Sequence, residues 1–331
     1  MPDSQVIALD SDEHIKEIRP AEDAVFTRQI EEITKRAEDF RMEKMRRYSG
    51  RTGVSLIVGM LAMLAGASGF GWYFLMEGHL PKALGCIVIA LAVPAWLHYW
   101  AGGPIRTYQQ EFKTKFMPDL AKALGGLRFF PKRGISENLV RRSGIIPAFD
   151  DYRAEDCFMG RYGGVKIILS EARLSLKKRP VFDGIFALLD IENGHFEGTT
   201  IITADPALQR SASKTLTNCP ISHGVYAQKL SVFTNIPNHP SKLAADENLL
   251  KEIYEMSVLF DDAPLTAIFW NKRTIFIAIP YAGDMFECSH MFVPVTTHST
   301  ALQCQKEISQ ILSIIDIVKL YNRPMNSENN V

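Results

Sequence analysis

The chain has 331 residues, in which 37 Lys and Arg residues balance 37 Asp and Glu residues, and 47% of it is hydrophobic. This composition is typical of a globular protein of roughly two domains. A zero net charge excludes a broadly basic surface, so we expect no general nucleic-acid binding. The five cysteines lack CxxC spacing, which predicts reduced thiols and neither a disulfide framework nor a zinc knuckle. They are Cys86, Cys157, Cys219, Cys288 and Cys304.

The N-terminal segment, residues 1–51, begins with a polar, acidic stretch that predicts little ordered structure. From Ala24 to Tyr48, apolar residues recur every three or four positions, which predicts an amphipathic helix. This apolar stripe has three candidate partners: the C-terminal domain, a second copy in a coiled coil, or the lipid surface. We favour packing within the chain, because the stripe is short for a coiled coil and is interleaved with acidic residues. Its members are Phe26, Ile30, Ile33, Ala37 and Phe40.

Residues 52–105 contain two uncharged runs, Thr52 to Met76 and Ala83 to Ile105. Each run is longer than the roughly 20 residues that a helix needs to cross a membrane. Residues 77–82 leave room only for a tight turn, so we predict an antiparallel transmembrane hairpin. A secretory signal is disfavoured, since the first run is too long for an h-region and a second span follows it. Two buried core helices of a soluble protein rarely lack charge over such lengths.

The charges around the hairpin predict its orientation. Basic residues flank both outer ends, whereas the turn carries only Lys82, so both termini should face the cytoplasm. Because no ionisable residue lies in the middle of a span, we expect an anchor and not a transporter. Small residues at helical spacing favour packing within the hairpin over dimerisation, although a homo-oligomer stays open. These small residues are Ala62, Gly66, Ala67 and Gly71.

Residues 106–127 are predicted to form a connecting helix that is broken or kinked at Pro118 and ends at Gly125 and Gly126. The run LRFFP after it is typical of a strand. A short helix is expected from Ser136 to Arg142, with Ser136 as its N-cap.

Residues 128–322 are predicted to form a cytoplasmic α+β domain. Residues 156–203 read as a β-meander of three or four antiparallel strands, because turn signals separate its apolar runs. These signals are Tyr162-Gly163-Gly164, Lys177 to Pro180, and Glu192-Asn193-Gly194. Since its helices come late, the regular strand-helix alternation of a doubly wound fold is excluded.

The later half of this domain mixes strands and helices. We predict a strand from Gly224, a helix from Ala245 capped by Asp246, and a hairpin that turns at Asn271-Lys272-Arg273. A long amphipathic helix from Ala301 should close the domain, and residues 323–331 form a free tail.

These elements together resemble a known family. The two spans are followed by the runs EDCFMGRYGGVKIILSEARL, VFDGIFALLDI and FEGTTII, then by TAIFWNKRTIFIAIP and by DMFE at Asp284 to Glu287. This pattern resembles the bacterial membrane-anchored proteins that carry the domain of unknown function 3137, and the resemblance covers residues 50–322. It implies an α+β domain on a membrane anchor and a role in a membrane complex, with a LemA-like membrane protein as the possible partner. It implies no activity.

Candidate catalytic groups are few. Five carboxylates of the meander would serve acid-base chemistry or hold a cation if strands brought them together, although solvated strand edges are the ordinary alternative. They are Glu155, Asp156, Glu171, Asp183 and Glu197. Acid-base chemistry requires several of them within about 6 Å of one another.

Other cofactor and metal signals are weak. Cys288, His290 and His298 lack a fourth zinc ligand at a recognised spacing, so we predict no metal site. A cysteine nucleophile assisted by a histidine has no specific spacing to support it. The glycines of GRYGG do not open a helix, so no dinucleotide or phosphate loop, and no cofactor, is expected. The other histidines considered as such a base are His195, His223 and His239.

Aromatic residues are dense around the second hairpin, where core packing is the ordinary explanation and an exposed recognition face the alternative. They are Phe269, Trp270, Phe276, Tyr281, Phe286 and Phe292.

Because the sequence has a strong membrane anchor and no catalytic constellation, the leading hypothesis is a binding or scaffold module that recruits a protein partner to the bacterial inner membrane. The alternative is a membrane-tethered hydrolase that uses the meander carboxylates.

Overall fold

The computed structural model describes residues 5–7, 23–191, 196–221, 224–236, 246–281, 291–295, 309 and 312. These residues divide into two units. The helical unit contains residues 31–116 and 291–295, and the sheet unit contains the other described residues. The chain therefore leaves the sheet unit twice, once through the long helices and once through a short loop.

The helical unit is built on long helices. Helix α1 (Asp23–Met63) joins the predicted amphipathic segment to the first apolar run without a break, and a π-helix (Leu64–Gly71) and α2 (Trp72–Met76) complete that run. Helices α3 (Leu80–Ala101) and α4 (Gly103–Ala123) follow the turn. The predicted limits at 51/52 and 105/106 thus fall inside α1 and α4.

Two of these helical stretches are long and apolar enough to span a membrane, and only 12% and 11% of their most apolar windows are buried. The hairpin packs through small residues, because a Cβ built on Gly66 would lie 2.8 Å from the Cβ of Ala90. Similarly, a Cβ on Gly59 would lie 3.3 Å from the Cβ of Pro94. The close contact at Gly66 is the kind that was predicted within the hairpin.

The predicted break at Pro118 is wrong, because α4 continues through Pro118 to Ala123. Proline removes one backbone donor and can kink a helix without ending it, so only the broken form of the prediction is excluded. Phe116, Met117 and Leu120 are all buried around this point. The helix ends, as predicted, at glycines with positive φ, Gly125 and Gly126.

The sheet unit confirms the antiparallel α+β class. Its nine strands pair in the order β2-β4-β5-β6-β11-β10-β7-β9-β8, and every described pairing within this sheet is antiparallel. A separate strand, β1 (Gln5–Ile7), pairs in parallel with β3 (Arg133–Ile135). The nine strands are β2 (Arg128–Phe130), β4 (Asp151–Tyr162), β5 (Val165–Leu176), β6 (Arg179–Ile191), β7 (Thr200–Thr203), β8 (Thr217–Cys219), β9 (Ser231–Thr234), β10 (Thr266–Trp270) and β11 (Thr274–Pro280).

The predicted β-meander is confirmed for three strands, and the prediction that a fourth strand follows them is wrong. Strands β4, β5 and β6 are consecutive, with positive φ at the predicted turns Gly163-Gly164 and Lys177-Lys178. Strand β7 is not next to β6, because the β10–β11 hairpin lies between them. Thr274 to Ile279 of β11 are all buried, which suits a central strand covered on both faces.

Short helices cover one face of the sheet. The core on that face joins Ile168, Phe186 and Phe276 of the sheet to Val140 of α5 (Glu137–Ser143) and Ala212 of α6 (Pro206–Ala212). Helix α5 is capped by Ser136, as predicted, because the Ser136 Oγ accepts the Leu139 amide.

The remaining predictions have mixed outcomes. The predicted strand from Gly224 begins instead with a 3-10 turn (Val225–Gln228) before β9, because the Leu230 amide bonds back to the Tyr226 carbonyl. Helix α7 (Glu247–Leu259) has the predicted Asp246 cap. The closing helix from Ala301 lies outside the described residues, except for Ser309 and the buried Leu312, which are both helical. The sequence patterns missed α6, β3 and β8.

Gly184 tests the register of β6 against β11. A Cβ on Gly184 would lie 2.1 Å from the Ile279 carbonyl oxygen, so Gly184→Ala must push two central strands apart. We expect it to lower the free energy of unfolding by about 2 kcal/mol or more, measured by urea denaturation. Gly164→Ala is the control, since nothing lies within 4 Å of a Cβ there and only its φ of +82° is strained. Equal losses in both variants would contradict the register.

Candidate functional site: the Arg41 clamp

The predicted carboxylates do not meet at one point. Glu155 of β4 stands directly opposite Glu171 of β5, and Arg173 of β5 stands opposite Asp183 of β6. The Arg173 Nε lies 3.3 Å from the Asp183 Oδ1, and both side chains are about half exposed. Asp156 is buried in a β-bulge with a φ of 54°.

Glu197 lies far from this group. Asp183 is near the start of β6, where its carbonyl accepts the Tyr281 amide. At the other end of β6, the Ile191 and Phe196 amides bond to Arg273 and Lys272. The strand extends for roughly 26 Å between Asp183 and Ile191. Asp156, Glu171, Asp183 and Glu197 therefore do not all converge on one point, because Glu197 lies at the opposite end of β6 from Asp183.

Two of the three described cysteines, Cys157 and Cys219, are poor candidates for a nucleophile. Cys157 of β4 is fully buried in the hydrophobic core, and this burial raises the pKa of its thiol to about 12. Partial burial also raises the pKa of Cys219. The thiolate is the reactive form, so both groups are weak nucleophiles at neutral pH.

The metal and aromatic predictions are tested only in part. Cys288, His290 and His298 lie outside the described residues, and the part of the chain that is described has no group of three potential metal ligands. Phe269, Trp270 and Phe276 are buried, as core packing predicted. Phe286 lies outside the described residues, Tyr281 is half-buried, and Phe292 is 51% exposed.

The most connected polar arrangement in the helical unit is the Arg41 clamp, which we define as Glu38, Arg41 and the loop 291–295. The guanidinium of Arg41 is buried and donates to both carboxylate oxygens of Glu38, at 2.8 and 2.5 Å. Its Nη1 also donates to the Met291 carbonyl at 3.0 Å. Glu38 in turn accepts the Val295 amide at 2.9 Å. One ion pair thus holds both ends of the loop against α1.

Aromatic rings support the clamp from the side. Phe40 lies 5.9 Å from the Tyr108 ring and 5.6 Å from the Phe116 ring, both on α4. Lys44 lies over the Phe40 ring and bonds to Glu111 at 2.5 Å. The whole predicted stripe of α1 is buried, which confirms packing within the chain.

The charges of the clamp reinforce one another. The hydrogen bond from Arg41 holds the pKa of Glu38 below its ordinary value, and the bond from Lys44 does the same for Glu111. The Glu38 carboxylate raises the pKa of Arg41. Glu38, Arg41 and Glu111 are therefore charged at neutral pH.

The held loop presents apolar groups outward. Phe292 is 51% exposed and Val293 is 50% exposed, although the Phe292 ring also contacts Tyr48 of α1 at 5.7 Å. Large apolar side chains on a fixed loop suit a binding role, because the loop would lose little conformational entropy when a partner binds. The sequence spacing of Glu38 and Arg41 shows a helical ion pair, but it could not reveal a loop 250 positions away.

The comparisons with known proteins identify a domain but no activity. Residues 180–320 match the family described as a protein of unknown function, DUF3137. The matched region lies within the predicted C-terminal domain, residues 128–322, and covers most of it. No curated protein matches the sequence.

The clamp predicts a loss of loop protection in acid. Since Glu38 has a lowered pKa in the folded state, its stabilisation is complete above the ordinary value of 4.5 and is lost as the pH falls through the folded value. We expect the protection factor of the Val295 amide, corrected for intrinsic exchange, to be constant from pH 7 to pH 5. It should decrease as the pH is lowered below 5. Glu38→Gln should lower protection already at pH 7, whereas Glu31→Gln, on the exposed side of α1, should not. Unchanged protection in Glu38→Gln would contradict the clamp.

Burial of the thiol predicts selective alkylation. At pH 8, iodoacetamide should label Cys219 slowly and leave Cys157 unmodified until the protein is denatured, as read by peptide mass spectrometry. Rapid labelling of Cys157 in the folded protein would show that the core around it opens.

Proposed function

We propose that this chain, which carries the DUF3137 region, is a membrane-anchored binding or scaffold module that recruits a protein partner to the bacterial inner membrane. The observation that carries the proposal is the exposure of the apolar hairpin. Leu56, Met60 and Ile89 are each about 60% exposed (68%, 59% and 63%), along with most of the large apolar residues of both spans. Such a surface is stable in lipid and would aggregate in water.

Orientation follows from the charges at the ends of the hairpin. An antiparallel hairpin returns the chain to the side of the membrane from which it came, so the residues before α1 and after α4 lie on the same side. Arg46, Arg51 and Arg106 stand at that side, whereas the turn carries Lys82. By the distribution of basic residues, both termini are cytoplasmic.

The partner surface is the outer side of the Arg41 clamp. Phe292 and Val293 form an exposed apolar pair on a loop that charged groups hold in place. A protein partner would bury these side chains without ordering the loop, which favours binding. A LemA-like membrane protein is the proposed class of partner.

The anchor predicts a topology. The protein should stay in the membrane fraction after alkaline carbonate extraction. In membrane vesicles, single cysteines introduced at Ser4 and Asn326 should be reached only from the cytoplasmic side, and one at His79 only from the opposite side. Labelling of Asn326 and His79 from the same side would contradict the hairpin.

The partner surface predicts which substitutions release a partner. In affinity isolation from detergent-solubilised membranes, Phe292→Ser with Val293→Ser should reduce the recovery of a co-purifying membrane protein at least about tenfold, as typical for loss of an apolar interface anchor. Val258→Ser is the matched control, because Val258 is 48% exposed on α7 and lies outside the clamp. Equal recovery with the clamp variant would place the partner elsewhere.

A further inference from the structure

Two arginines meet where the second apolar helix ends. The guanidinium of Arg51, from α1, lies 4.7 Å from the centre of the Trp100 ring. That of Arg106, from α4, lies 4.0 Å from the Tyr99 ring and donates to the Tyr99 carbonyl at 2.5 Å. Each side chain is thus held in a defined position by an aromatic ring.

The two guanidinium groups approach the same stretch of bare backbone. A Cβ built on Gly102 would lie 2.8 Å from Nη1 of Arg106, and one on Gly103 would lie 3.2 Å from Nη1 of Arg51. Gly102 and Gly103 are adjacent, so both guanidinium groups lie at the same end of α3.

Three basic residues in the same part of α1 have carboxylate partners, whereas this pair has none among the described residues. Arg41, Lys44 and Arg47 pair with Glu38, Glu111 and Glu43 respectively. Among the residues that the structure describes, Arg51 and Arg106 contact no carboxylate. Between positions 44 and 110 the sequence holds only one acidic residue, Glu77, at the far end of the hairpin. Within the described part of the chain, these two positive charges are therefore available to an anionic ligand.

We infer that Arg51 and Arg106 form a binding site for the phosphate group of an anionic lipid headgroup. Two guanidinium forks match the oxygens of a phosphate. Trp100 is 39% exposed and Tyr99 is 66% exposed, and such rings favour the headgroup layer of a membrane. This inference rests on the membrane anchoring proposed above, and it adds a ligand that the anchor itself does not require.

The test uses the full chain reconstituted in phosphatidylcholine vesicles, with spin-labelled phosphatidylglycerol or spin-labelled phosphatidylcholine as the probe. The wild type should prefer the anionic lipid by roughly fivefold or more, as expected for basic residues at a membrane surface. Arg51→Gln with Arg106→Gln should bring the preference close to one. Arg47→Gln is the control, because it removes one charge a helical turn away from Arg51 and its partner is Glu43.

Two further arms separate the alternatives. The double lysine variant, Arg51→Lys with Arg106→Lys, should retain part of the preference, which distinguishes lost charge from lost packing. Added inorganic phosphate at constant ionic strength should not displace the lipid. Displacement would assign the site to a soluble phosphate and overturn the lipid inference.

The inference is also overturned if the wild type shows no preference, or if Arg47→Gln abolishes it as fully as the double variant does. The anchor has a separate readout, since a chain that is not membrane-inserted would not float with the vesicles at all. Flotation without lipid preference would thus reject this inference and leave the anchor intact.

Discussion

Burial of the Arg41 guanidinium constrains the helical unit more than any other single feature. A buried charge is tolerated only when it is paired and its donors are satisfied. Arg41 meets this requirement with Glu38 on its own helix and with the Met291 carbonyl, which comes from a distant part of the chain. Since neither partner alone satisfies the fork of donors, the loop must lie against α1 for the helix to bury its stripe.

The aromatic layer follows from the same constraint. Phe40 and Arg41 are adjacent on α1. The Phe40 ring packs on α4, whereas the Arg41 guanidinium bonds to the loop 291–295. The rings of Tyr108 and Phe116 hold α4 against Phe40, while Lys44 pairs with Glu111 beside them. Each contact is modest alone, but together they fix the end of the hairpin from which Arg51 and Arg106 project.

Sequence reasoning succeeded where the signal was local. The apolar stripe of α1, the caps at Ser136 and Asp246, and the turn at Asn271 each depend on a few adjacent residues, and each was found. It failed where partners are distant. Nothing near Thr200 states that β7 pairs with β10, and no local pattern links Arg41 to Met291.

The candidate sites divide in the same way. The carboxylates of the meander were recognisable as residue types, but their separation depends on strand register and on the inserted hairpin. The Arg51 and Arg106 pair was visible only as part of a basic flank. The pairing of Arg41, Lys44 and Arg47 with Glu38, Glu111 and Glu43 is a property of side-chain contacts, one of which spans 67 positions.

The continuity of α1 has a mechanical consequence. The helix contains 41 residues with no proline, from the amphipathic stripe to the middle of the first apolar run. Such a helix is a rod about 60 Å long, in which Ser49-Gly50 and Gly53 are the positions where bending is easiest. A bilayer that thickens or thins changes the tilt of such a rod, because the apolar length must stay matched to the hydrocarbon. In the membrane anchoring proposed above, a change of tilt in the apolar half would carry Glu38, Arg41 and the loop that they hold along with it.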